Sequence, residues 1–283
     1  MTATTTIDEI VLADRPDPWA ACGFAVSEDA CEVGTVRLRF AGAAGGGQGD
    51  ARGPGGAQDA GSRPPARPGD RTPAGILSWS LRGIAGGALS PEGEGLVHGL
   101  PTTLSHSALR EPAPEHPNGV LAIDHVVAMT PDLDRDVAAL TAAGLDLRRV
   151  REQPTPAGAP RQAFFRLGPT ILELVQEPDA ASSRGEALAR AGGRDAAGAG
   201  ERPARFWGLA FVVRDIERTA AQLAPHVGDV RPAVQAGRLI ATVRRSAGLC
   251  VPVALMSEQT PGAGGVDESP AAVERAGGEG AAA

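Results

Sequence analysis

Two stretches of this chain superpose residue for residue without a gap: HVVAMTPDLDR, from His125 to Arg135, and GLAFVVRDIER, from Gly208 to Arg218. Each is an apolar, strand-like run that reaches an acidic turn and passes directly into a helical pattern. Leu133, Val137 and Leu140 recur at helical spacing in the first, and Ile216, Ala220 and Leu223 in the second. A strand-to-helix junction that repeats in register implies two copies of one supersecondary unit, and such units bury their apolar faces only against one another. Thr130 ahead of Pro131, and Asp215, are expected to cap the two helices, with Gly144 and Gly228 as stops.

Three strand-like runs follow each helix: LDLRRVRE, RQAFFRLG and TILELVQ in one block, DVRPAVQ, RLIATVRR and CVPVALM in the other. Each block therefore reads βαβββ. A looser copy stands at the N-terminus, with TIDEIVLAD, a short helix in PDPWAACGF, runs around ACEV and GTVRLRFAG, and finally ILSWSLRGI. Its Ile7-Asp8-Glu9-Ile10-Val11 matches Ile123-Asp124-His125-Val126-Val127. The expected organisation is a degenerate unit over 1–84, a connector over 85–118, a unit over 119–177 and another over 205–256. The insertion 41–75, the linker 178–204 and the tail 257–283 consist mostly of Gly, Ala, Pro and charge. That composition buries too little apolar surface to offset chain entropy, so all three are expected to be disordered.

The 283 residues, 42% of them hydrophobic, suffice for a substantial core. With 34 acidic against 27 basic side chains the net charge is −7, and no basic stripe is interleaved with aromatics, so nucleic acid is not an expected partner. No apolar run approaches the roughly 18 residues of a spanning helix, and the N-terminus has no secretory pattern, which leads us to expect no membrane and a cytoplasmic location. Cys22, Cys31 and Cys250 form no CxxC pair, in keeping with a reducing compartment. There is no nucleophile elbow, P-loop or dinucleotide fingerprint; the glycine-rich run over 41–56 has neither a lysine nor a following helix pattern to hold a phosphate.

A tandem repeat of βαβββ units with a histidine in the first strand and ILELV in the last resembles the vicinal oxygen chelate superfamily of glyoxalases, extradiol dioxygenases and bleomycin-resistance proteins. The resemblance is best over 119–256 and implies an α+β fold in which two units curve mixed sheets around one pocket. It also implies up to two metal ligands per unit, one from the first strand and one from the last. Carried over, the second block supplies His125 and Glu173, whereas the third block has Gly208 and Ala254 at the matching places. Neither of those can coordinate a metal.

If the first block packed against the second, Glu9 would stand where a third ligand is needed, and Ser78, aligned with Glu173, would take the fourth position. Thr102 and Thr103 in the connector, with Phe164 and Trp207, are expected to line a substrate pocket. The implied function is binding of a small organic molecule, as in the bleomycin-resistance proteins, with one divalent ion (Zn, Fe, Mn or Ni) or none. The alternatives are a metal-dependent lyase, isomerase or dioxygenase using His125 and Glu173, and a non-catalytic sequestration or interaction protein. No catalytic residue is assigned. Three units leave one unpaired, so the spare one is expected on a sheet edge or on a second chain in a homodimer.

Overall fold

Alternating apolar and polar residues place one face of every long strand in a core, and the computed structural model shows what covers it. It describes residues 4–42, 75–84, 94–153, 161–178 and 202–259. The disordered segments expected at 41–75, 178–204 and 257–283 lie almost wholly outside these residues. The fold is α+β, with two mixed sheets of seven and eight strands.

The eight-stranded sheet is built from the two well-formed units. The first comprises β8 (Val120–Thr130), α2 (Leu133–Ala142), β9 (Asp146–Arg151), β10 (Gln162–Leu167) and β11 (Thr170–Gln176). The second comprises β12 (Arg205–Val213), α3 (Ile216–Leu223), β13 (Arg231–Pro232), β14 (Leu239–Thr242) and β15 (Val253–Ser257). Strand order is β13-β14-β15-β12-β8-β11-β10-β9, so the units join through their first strands, β8 and β12, which run antiparallel. Each first strand also pairs in parallel with its own last strand. Asp132 and Asp215 cap the helices by accepting from the amides of Arg135 and Arg218. The expected cap Thr130 instead sits two residues earlier, where its hydroxyl accepts from the Asp132 amide. Gly144, with φ +92°, follows α2 closely, but α3 ends at Leu223, short of Gly228.

The N-terminal half differs from the expected layout. β1 (Thr6–Leu12), α1 (Pro16–Ala21), β2 (Val26–Ser27), β3 (Ala30–Val33) and β4 (Val36–Phe40) already complete a βαβββ unit. Ile76–Arg82 is therefore not its last strand. As β5 it runs antiparallel to β1, the relation β12 has to β8. The connector contributes two more strands, β6 (Glu94–Val97) and β7 (Leu100–Leu104), and β7 pairs in parallel with β5 as β15 does with β12. The seven-stranded order β2-β3-β4-β1-β5-β7-β6 thus repeats the plan of the larger sheet with one strand fewer. The first unit finds its strand partner within the chain, which removes the odd-unit reason for seeking one on a second chain.

One apolar core joins both sheets. Ile10, Leu38, Trp79 and Leu81 from the smaller sheet share it with Val126, Phe165, Leu172 and Phe211 from the larger. Trp19 of α1 and Phe24 meet Phe211 edge-on, with ring centroids 6.0 and 5.3 Å apart, and Trp79 meets Phe206 at 5.0 Å. Polar ties cross the same boundary. The Cys250 amide donates to Asp14 at 2.6 Å, and His98 Nε2 lies 2.6 Å from the buried carboxylate of Asp136 on α2. Gly99 follows His98 in the β6–β7 turn at φ +91°, and a Cβ there would lie 2.4 Å from Pro203. The turn and its approach to the other half both require glycine.

Candidate functional site

Because side chains alternate along a strand, the residues between the core positions face away from the core. On β8 these are His125, Val127 and Met129, and on β11 Ile171, Glu173 and Val175; Val127, Met129 and Val175 form a small apolar cluster of their own there. In the parallel register His125 stands opposite Ile171 and Glu173 opposite Val127. That one-step diagonal brings His125 Nε2 to 3.2 Å from Glu173 Oε2. The sequence pairing of His125 with Glu173 is therefore a spatial one, made by the first and last strands of one unit.

Both ring nitrogens of His125 meet carboxylates. Nδ1–H donates to Asp124 Oδ2 at 2.8 Å, and Asp124 Oδ1 is in turn 2.7 Å from Arg238 Nη1. Arg238 is buried, and its Nε donates to the Ser257 carbonyl at 2.9 Å. Glu173 accepts from the Gln162 amide on the adjoining β10. Burial works against a charged imidazole, but the hydrogen bond to Asp124 and the charges of Glu173 and Asp124 outweigh it and raise the His125 pKa. Burial raises the Glu173 pKa, partly opposed by His125. Burial also acts upward on Asp124, where His125 and Arg238 prevail and hold it below the usual carboxylate range. The result is a line Arg238–Asp124–His125–Glu173 in which the imidazole bridges two carboxylates.

Across the sheet junction the matching places carry no donor. Ala210 stands opposite His125, Gly208 opposite Val127, and Ala254 beside Ala210. One imidazole and one carboxylate 3.2 Å apart could both reach an ion at roughly 2.0–2.2 Å. They fall short of the three protein ligands of catalytic zinc and of the two-histidine, one-carboxylate iron triad. Among the described residues no group of three or more His, Cys, Asp or Glu is placed to hold a metal. The donor set does not fit a protein-enclosed metal centre.

The other expected site residues are dispersed. Glu9 is in the seven-stranded sheet, where Arg39 Nε donates to it at 3.0 Å, and is not brought to His125, because the second unit pairs its strands with the third and not with the first. Ser78 stands opposite Val11, the rank that Gly208 holds opposite Val127, so its counterpart is Gly208 and not Glu173. Thr102 is buried and accepts from the Trp79 indole at 2.8 Å, which makes it a core residue, whereas Thr103 lies on the polar face. Phe164 is opposite Glu173 with the Arg149 guanidinium 5.2 Å from its ring centroid, and Trp207 is 43% exposed. Arg161, which precedes the strand adjoining that of Glu173, binds Glu152 and Asp134 and not Glu173. Sequence reasoning missed Asp124, Gln162 and Arg238; the signal available for Asp124 was a carboxylate beside a histidine within an apolar strand, a group that needs a cationic partner.

Residues 122–237 match the family model of the Glyoxalase/Bleomycin resistance protein/Dioxygenase superfamily, and the chain carries a domain of that superfamily there. Among solved structures it is similar to methylmalonyl-CoA epimerase from Mycobacterium tuberculosis at 18% identity and a TM-score of 0.39, covering 54% of this chain and 93% of that one. A Streptomyces coelicolor methylmalonyl-CoA epimerase variant in complex with 2-nitronate-propionyl-CoA is similar at 20% identity and 0.38, covering 49% and 94%. A hypothetical protein from Bacillus halodurans is similar at 14% identity and 0.39, covering 49% and 94%. No curated protein matches the chain. No helix among the described residues is long and apolar enough to cross a membrane.

Proposed function

We propose that the 122–257 half binds a small organic molecule on the polar face of the eight-stranded sheet, with the His125–Glu173 pair as its polar anchor and no metal ion. The observation that carries this reading is the placement of His125 between two carboxylates, opposite Ala210, with Gly208 and Ala254 at the neighbouring places. The imidazole is oriented by Asp124 and its pKa is raised by the two carboxylates, and the facing Ala210 and Ala254 bring no competing polar group. Such a pair donates a hydrogen bond to a carbonyl or carboxylate oxygen, while Val127, Met129 and Val175 supply apolar contact. In a second reading, favoured by the convergence of His125 Nε2 and Glu173 Oε2, the two ligate an ion completed by a chelating substrate in a lyase, isomerase or dioxygenase.

Elemental analysis of wild type and His125→Ala after identical reconstitution with zinc, iron, manganese or nickel separates the two. The binding reading expects substoichiometric metal in both proteins, together with a small molecule carried through purification by wild type and lost in the variant, detected by native mass spectrometry. Near-stoichiometric metal in wild type that disappears in His125→Ala would overturn it in favour of the enzyme.

A further inference from the structure

The smaller sheet reproduces the larger one's register with different chemistry. Glu9 pairs with Arg37 on the last strand of its unit and with Ser80 across the junction, as His125 pairs with Ile171 and Ala210. Counting two residues on, Arg39 holds the place of Glu173; likewise Ser78 holds that of Gly208, and Thr103, opposite Ser80, that of Ala254. The ion pair is therefore conserved in position and inverted in charge at the last strand: Arg39 Nε to Glu9 at 3.0 Å in one sheet, His125 to Glu173 at 3.2 Å in the other. The places that are bare in the larger sheet carry hydroxyls in the smaller.

These residues, with Arg110, line a cavity of about 480 Å³, within the size range of small-molecule sites and far larger than a bare ion needs. The hydroxyls of Ser78, Ser80 and Thr103 are half-buried and have no hydrogen-bond partner among the described residues, which leaves them open to a ligand or to water. Arg39 commits Nε to Glu9 and lines the cavity, and no hydrogen bond engages its terminal nitrogens among the described residues. A guanidinium with two such donors matches the two oxygens of a planar or tetrahedral oxyanion.

We infer that the seven-stranded sheet holds a second ligand site, which takes a small organic oxyanion, its carboxylate or phosphate on Arg39 and its other polar atoms on Ser78, Ser80 and Thr103. The site lies outside residues 122–237 and does not depend on the reading given to His125. Glu9 competes with the ligand for Arg39 and so sets the affinity, while Arg110 adds positive charge but is engaged by Asp8.

The test is calorimetric titration of the full chain with succinate and, separately, with glycerol 3-phosphate, with sodium chloride as the control. Saturable binding of either is expected. Loss of the charge-assisted contact in Arg39→Gln should weaken binding at least about tenfold, and Ser80→Ala should weaken it less. Glu9→Gln should tighten it, an outcome that a merely structural Glu9 would not produce. Preference for one probe assigns the carboxylate or the phosphate. No saturable binding of either probe by well-folded wild type, or binding indifferent to both Arg39→Gln and Glu9→Gln, would overturn the assignment.

Discussion

His125 titrates as one member of a line of charges. Its pKa is raised because two carboxylates stabilise the imidazolium more than burial opposes it. A raised folded-state value means that the stabilisation is fully present below the ordinary histidine pKa, about 6.5, and is lost as pH rises through the folded value. Glu173→Gln removes one of the two charges, so the His125 midpoint followed by NMR should fall toward the ordinary range, and the decline in stability should be smaller and complete at lower pH. A midpoint unchanged in the variant would show that Glu173 carries no charge beside the ring. Arg238→Met should act less directly, by freeing Asp124 from the buried arginine that holds it.

Helix entry is where local sequence and structure agree most closely. Asp132 and Asp215 share extended backbone angles, φ −139° in both, and the same side-chain bond to the third residue on. Asp132→Ala and Asp215→Ala should each cost about 1 kcal/mol, read as a lower urea midpoint at unchanged slope. The two βαβββ units of 119–256 were legible because strand period, cap and helix period follow one another in both. The strands β6 and β7 were not, because GLVHGLPTTL has a proline at Pro101 and follows a glycine-rich stretch with no helix pattern. A two-residue turn with glycine second, His98-Gly99, between short apolar runs was the available hairpin signal. The His125–Glu173 pair could be found from a resemblance of motifs, but Arg238 could not, since it lies on the far side of the sheet in sequence and reaches Asp124 only once β14 has been added. Glu9 was misplaced for the complementary reason: the match of Ile7–Val11 to Ile123–Val127 shows equivalence between two sheets, not proximity within one.

At the scale of the molecule the two sheets share a core, and Phe211 sits where α1, β12 and the Phe24 turn meet. Phe211→Ala should cost about 3–5 kcal/mol and lower the midpoint for the whole chain. Unfolding followed by tryptophan fluorescence, dominated by the buried Trp19 and Trp79 of the smaller sheet, should coincide with unfolding followed by far-ultraviolet dichroism; two separated transitions would show that the halves fold independently. The shared core has another result, which concerns occupancy. The polar faces carrying Glu9–Arg39 and His125–Glu173 both lie on the sides of their sheets turned away from it, so nothing passes directly from one to the other. Yet where the halves open as one body, a molecule held on either face at a hundred times its Kd adds about 2.7 kcal/mol to the work of opening both. Each face is thereby guarded against proteolysis and exchange by whatever occupies its opposite, a reciprocity that comes from common packing alone.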